Sequence, residues 1–245
     1  MTSQTFTATG APHCFAGRAV IASGVIGMLA VGSLIAHLAY RGPRSGLGLL
    51  MQNFHDVGVV LQFLLMIPVV FGLQKLSEQK SPGMRQTTLF VSVGALSFTV
   101  LFLLLGITKI IAAVLYMFPQ GVFGVSLMII CWQMRGIFSR GLRWFGMVVG
   151  LGLALVGTFP TGYAIFVDTT VLQIPAASDE AVQKVPHTPA NQILHFILVI
   201  GSLMGVATLP IWTLLLGRRL LRKKILVEKS ANPDAFIKTK AGINM

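Results

Sequence analysis

The sequence is poor in charged residues, and acidic residues are the scarcest of them. Of its 245 residues only 11% are charged, with 7 Asp or Glu against 19 Lys or Arg. A soluble domain carries about 25% charged residues, so this composition excludes an ordinary water-soluble globular protein. The basic excess comes without an aromatic RNA-binding signature or a basic soluble domain, so nucleic acid is excluded as the expected partner.

Cysteine is scarce as well, which excludes a disulfide-stabilised secreted domain. Cys14 lies in the polar N-terminal region and Cys131 lies in an apolar segment, so the two do not form a disulfide framework. The first apolar run, from Ala19 to Tyr40, spans about 22 residues, whereas the apolar core of a signal peptide has about 7–15. This run predicts a retained helix.

Long apolar segments are abundant. Each of six runs is long enough to cross a hydrocarbon core of about 30 Å, which takes roughly 20 helical residues. Almost no polar sequence separates the third run from the fourth, so a tight turn is required near Lys109. Pro119 and Gly121 also allow the fourth helix to start one turn later. The sequence predicts an all-α, polytopic transmembrane bundle of six helices, near residues 19–40, 53–74, 87–110, 112–134, 144–167 and 191–217.

The basic residues are distributed unequally between the two sides of this bundle. The side that holds both termini and the second and fourth loops carries 15 Lys or Arg, and the other side carries 4. Short cytoplasmic loops are enriched in these residues, so we expect both termini in the cytoplasm and a bacterial-type inner membrane as the location. The predicted parts are an N-terminal tail (1–18), a membrane domain (19–217) with an outer loop (168–190), and a basic tail (218–245).

Two further patterns predict contacts with lipid and between helices. Basic residues beside a helix end attract anionic headgroups by about 1 kcal/mol per charge, and they also fit a stop-transfer anchor. Small residues four apart let two helices approach closely, and packing within one chain is the expected use. The basic residues are Arg218, Arg219, Arg222, Lys223 and Lys224, and the small pairs are Gly146 with Gly150 and Gly201 with Gly205.

Ionisable residues within the spans lie towards their outer ends and are functional candidates, because charge in hydrocarbon is costly. One hypothesis is that His37, His55 and His195 converge with Asp56 and bind a metal ion or a haem. The alternative is that each is an interfacial side chain whose polar tip reaches the headgroups. The complete candidate set is His37, His55, Asp56, Lys109, Asp168 and His195.

Residues 121–150 carry a resemblance to a known family. A glycine-rich apolar helix from Gly121 is followed by a short basic turn at Arg135 and then by a restart that contains Arg143-Trp144-Phe145-Gly146. This arrangement resembles bacterial six-helix inner-membrane proteins grouped as a domain of unknown function. The resemblance implies a six-helix bundle and no established activity, and none of the candidate site residues belongs to it.

These observations together predict a binding or accessory subunit of a larger membrane complex. One alternative is a metal-dependent or haem-dependent membrane oxidoreductase that uses the outer histidines. A small-solute carrier is the other alternative, although such carriers usually place acidic groups or broken-helix carbonyls near the midplane. An absorption spectrum with metal analysis distinguishes the binding or accessory subunit from the oxidoreductase.

Overall fold

A computed structural model describes residues 11–40, 46–78, 86–135, 137–172, 174 and 188–231. Six helices in these ranges are long and apolar enough to cross a membrane, and the same ranges contain no strand. The predicted all-α six-helix bundle is therefore confirmed. Its elements are α1 (Ala11–Ala39), α2 (Gly46–Glu78), α3 (Gln86–Ile107), α4 (Met117–Gln133), α5 (Arg140–Phe166), α6 (Pro189–Gly201) and α7 (Leu209–Ala231).

Several helices extend beyond the predicted apolar runs. Helix α1 begins at Ala11, so Arg18 lies on the first helix rather than in a polar tail, and α2 begins at Gly46 rather than near residue 53. A helix satisfies its own backbone hydrogen bonds in water as well as in lipid, so hydropathy marks the membrane-crossing part and not the helix ends. Residues 1–10 of the predicted N-terminal tail, most of the outer loop (175–187) and the end of the basic tail (232–245) lie outside the described residues.

The third and fourth spans are separated by a short capped turn. Ile110 N–H donates to the carbonyl of Leu105 at 3.0 Å, and Lys109 N–H donates to the carbonyl of Gly106 at 2.9 Å. These are the two bonds of a Schellman motif, in which the residue after the helix is left-handed. Lys109 has φ 57° and takes that position. A 3₁₀ turn, Ala113–Tyr116, then leads into α4.

The spans pack as neighbours around a shared core. Helices α1 and α2 form one extensive interface and α4 and α5 form another, while α3 packs on both α2 and α4. Helix α6 packs on α5, and α7 packs on α1. The buried centre is made by Phe123, Ile130, Leu153 and Trp212, and large apolar side chains on the outer faces are available to lipid.

The tightest helix crossings are made by glycines. A Cβ atom on Gly121 would lie 2.5 Å from the Cα of Gly157, and one on Gly124 would lie 2.6 Å from the carbonyl oxygen of Gly150. A side chain at either position would make contacts this short with backbone and would force the two helices apart. The four glycines singled out by their spacing all lie at crossings within the chain, Gly146 against Cys131 and Trp212, Gly150 against Gly124, and Gly201 and Gly205 against α5.

Span six is interrupted between α6 and α7 by a π turn, Ser202–Val206. Ala207 N–H donates to the carbonyl of Ser202 at 2.9 Å, and the Thr208 hydroxyl donates to the carbonyl of Met204. Pro210 has no N–H and cannot extend a regular helical ladder across this point, so the sequence favours a local change in winding. As a result α6 packs on α5 and α7 packs on α1.

Candidate functional site

A ladder of hydrogen bonds joins α1 to α2 along their outer and central parts. Its members are seven residues apart on each helix, which is two helical turns, and each uses a side chain of one helix and a backbone carbonyl of the other. This spacing keeps the same two faces together. The bonds run from Ser23 to Gln62 (3.2 Å), from His55 to Ala30 (3.0 Å) and from His37 to Gly48 (2.8 Å).

The ladder fixes the hydrogen positions on two of the candidate histidines. Nδ1 of His37 and Nδ1 of His55 each face a carbonyl oxygen, and a carbonyl oxygen only accepts hydrogen bonds. Each neutral ring therefore carries its hydrogen on Nδ1 and leaves Nε2 as an acceptor. Both side chains are half-buried.

Asp56 follows His55 on α2 and is half-buried. Because α2 begins at Gly46, Asp56 lies about 15 Å along the helix. The second helix, predicted near residues 53–74, therefore begins earlier than expected, since the turns before His55 and Asp56 are also helical. His37 and His55 lie two helical turns apart in the α1–α2 seam and Asp56 is next to His55; these three residues are called the outer cluster below.

Tyr116 is a tyrosine that the sequence did not single out. It is half-buried on the 3₁₀ turn before α4. Farther along, the rings of Phe63 on α2 and Phe123 on α4 meet edge to face with centroids 6.4 Å apart. This contact brings position 63 of α2 beside position 123 of α4.

Gln120 lies on α4, one helical turn after Tyr116. Its side chain is only 2% exposed, and its Oε1 atom has no hydrogen-bond partner among the described residues. A buried polar atom without a partner costs about 1–3 kcal/mol. Gln62, 5% exposed, has an unpartnered Nε2 atom over Gly27. A glutamine within an apolar run was the available sequence signal, but the burial of Gln120 is not visible in a sequence.

The remaining candidates lie elsewhere in the fold. His195 is exposed on α6, with its ring centroid 5.8 Å from that of Phe159 on α5. Asp168 interacts electrostatically with Tyr163, and Lys109 is exposed in the turn after α3. The structure thus places His37 and His55 in the α1–α2 seam, with Asp56 next to His55, and places His195 on α6 beside α5.

The described residues contain no group of three or more His, Cys, Asp or Glu that could hold a metal ion. All three histidines of the metal hypothesis are among these residues, so the expected metal-binding group of His37, His55 and His195 is not formed. The reason is the packing of span six. His195 lies on α6, which packs on α5, whereas the other two histidines lie in the α1–α2 seam.

The basic end of α7 is partly described. Arg218 is exposed and Arg219 is half-buried, while the side chains of Arg222, Lys223 and Lys224 lie outside the described part. A Cβ atom on Gly17 would lie 2.9 Å from the Leu221 side chain. The first helix therefore begins beside the end of the last one, on the same side of the bundle.

Comparison of the chain with protein-family models, with curated proteins and with solved structures gave no match. The resemblance of residues 121–150 to the six-helix family stays a prediction.

Proposed function

We propose that this protein is a binding or accessory subunit of a larger complex in a bacterial-type inner membrane, and that the outer cluster is its ligand-binding site. The observation that carries the proposal is the cluster itself. His37 and His55 are both held by hydrogen bonds in the α1–α2 seam with Asp56 next to His55, and the ladder occupies only one nitrogen of each histidine. Polar groups retained in an apolar span at this cost favour a role in recognition.

The outer surface of the bundle supports assembly with other membrane proteins. Helix α6 packs mainly on α5, and its large apolar side chains are widely exposed, as with Phe196 (66%) and Val199 (64%). Lipid or partner helices cover such a face in a membrane. The exposed Arg218 at the other end of span six suits anionic headgroups.

The assembly part of the proposal is tested by native mass measurement. The tagged chain is extracted gently from its native membrane and its complex is weighed with its lipids removed stepwise. We expect a species heavier than the 26.4 kDa chain that contains at least one different protein at a fixed stoichiometry. A single copy of the chain, or copies of this chain alone, would contradict the accessory role.

A further inference from the structure

The end of α4, on the side of the bundle that holds both termini, combines an aromatic ring with a guanidinium group. Arg135 follows this helix, and its Cζ atom lies 3.6 Å from the ring centroid of Trp132 on the last helical turn. The indole therefore covers one face of the guanidinium, a contact that attracts a cation. Both side chains are exposed, Trp132 by 54%. The ring thus holds the charge of Arg135 in place without burying it.

The contact with the ring leaves the hydrogen-bond donors of Arg135 available. The five N–H groups of a guanidinium lie in its plane and point outwards from its edges, whereas the indole lies against a face. Two parallel N–H groups of one arginine match two oxygens of a phosphate. Trp132 therefore presents Arg135 in a form that suits a phosphate group.

No described carboxylate competes for this arginine. The sequence has no Asp or Glu between Glu78 and Asp168. The acidic side chains that the structure describes are Asp56, in the outer half of α2, and Asp168, beyond the far end of α5. The first turn of α5 adds Arg140 and Arg143 and no acidic residue. The local charge therefore selects an anion.

Two exposed tryptophans mark the depth of this surface in the membrane. A Cβ atom on Gly146 of α5 would lie 2.5 Å from Sγ of Cys131 on α4. Because the two helices are antiparallel, Trp132 is level with Trp144 to within one residue, a rise of about 1.5 Å. Trp144 is exposed as well, and tryptophans gather at the level where lipid headgroups meet hydrocarbon. A phosphate that reaches Arg135 at this depth belongs to a lipid.

We propose that Arg135, held over Trp132, binds the phosphate of an anionic phospholipid such as phosphatidylglycerol, and that Arg140 and Arg143 raise the positive potential around it. A zwitterionic lipid offers the same phosphate, but the cation of its headgroup is repelled by a basic surface. This site uses residues other than the outer cluster and the basic end of α7, so its failure would leave the proposed function standing.

Quenching of Trp132 by brominated lipid tests the site. The full-length chain with Trp144→Phe is placed in phosphatidylcholine nanodiscs that contain a fixed minor fraction of brominated phosphatidylglycerol or brominated phosphatidylcholine. Each fluorescence value is divided by that in discs of the same lipids without bromine, which removes any direct effect of a variant on the indole. Trp212 is fully buried and gives a constant background. We expect quenching to favour phosphatidylglycerol by roughly fivefold, the contribution of one basic residue near an anionic surface.

Variants locate the site. Arg135→Gln should lower this preference by roughly fivefold. Arg135→Lys should lower it too, because an ammonium group keeps the charge but does not lie flat on an indole or donate two parallel hydrogen bonds. Arg18→Gln is the matched control and should leave the preference unchanged. It removes the same charge on the same side of the bundle, but from α1, which packs on α2 and α7.

Each of three results would overturn the proposal. Equal quenching by the two brominated lipids in the chain that keeps Arg135 would show that no anionic lipid is selected here. An unchanged preference in Arg135→Gln or in Arg135→Lys would show that the stacked guanidinium does not hold the phosphate. An equal loss in Arg18→Gln would show that the total charge of this side, and not this site, attracts the lipid.

Discussion

At the scale of single residues, Lys109 shows how a backbone position separates two spans. It takes the left-handed position of the Schellman motif that ends α3, where glycine is the usual residue. A residue with a Cβ atom pays about 1 kcal/mol for this conformation. The lysine thus stores a small amount of strain in a turn whose hydrogen bonds are complete.

Replacing Lys109 by glycine should therefore stabilise the protein by about 1 kcal/mol, seen as a higher Tm in detergent. Lys109→Ala removes the charge but keeps the Cβ atom, so it should leave the Tm near that of the wild type. Equal shifts in the two variants would mean that the charge, and not the left-handed backbone, sets the effect.

The histidine tautomers give a second residue-scale prediction. In mildly alkaline buffer, ¹⁵N NMR of the imidazole nitrogens should show His37 and His55 protonated on Nδ1, because each Nδ1 faces a carbonyl oxygen. Exposed His195 has a ring contact with Phe159 and serves as the internal comparison. Protonation of His37 or His55 on Nε2 would contradict the ladder.

The members of the outer cluster were visible in the sequence, but their packing was not. His37, His55 and Asp56 stand out because ionisable residues are rare in apolar runs. The ladder that holds the two histidines depends on α1 and α2 packing in one register, which a sequence does not show. The grouping of His195 with the others was wrong for the same reason, since sequence does not show which helices are neighbours.

At the scale of helices, glycine spacing was informative because close approach depends on a local property, the missing side chain. Gly150 lies against Gly124, and Gly205 lies against the backbone of Leu153 and Gly152. The π turn of span six was less predictable. Pro210 indicates an interruption, but it does not show that the interruption is a π turn.

Gly150→Leu and Gly205→Leu should each destabilise the protein by about 3 kcal/mol or more, since the added side chain meets backbone that cannot rotate away. Thermal unfolding in detergent measures this loss. Gly94→Leu is the matched control, because a Cβ atom on Gly94 in α3 has nothing within 4 Å. Comparable destabilisation by all three would mean that the leucine side chain is unfavourable in these helices generally, and that crowding at the two crossings is not responsible, since helix propensity alone favours leucine over glycine.

At the scale of the whole molecule, the six spans were predictable because apolar length is a direct physical requirement for crossing a membrane. The structure adds that the start of α1 packs beside the end of α7, through Gly17 and Leu221. Both ends of the bundle therefore face one side. Which side this is follows from charge, and the 15 Lys or Arg on that side favour the cytoplasm.

The orientation can be tested with two reporters that answer different parts of the question. A fluorescent protein fused after Met245 should be active in the cytoplasm, and an alkaline phosphatase inserted near Ser178 should be active outside, although both positions lie beyond the described residues. One span separates the two positions, so they must report opposite sides whatever the orientation. If both reporters gave the opposite result, the six-span topology would stand, and the charge bias would not set the orientation of this chain. Two reporters on the same side would instead show that span six does not cross, which would contradict the fold itself.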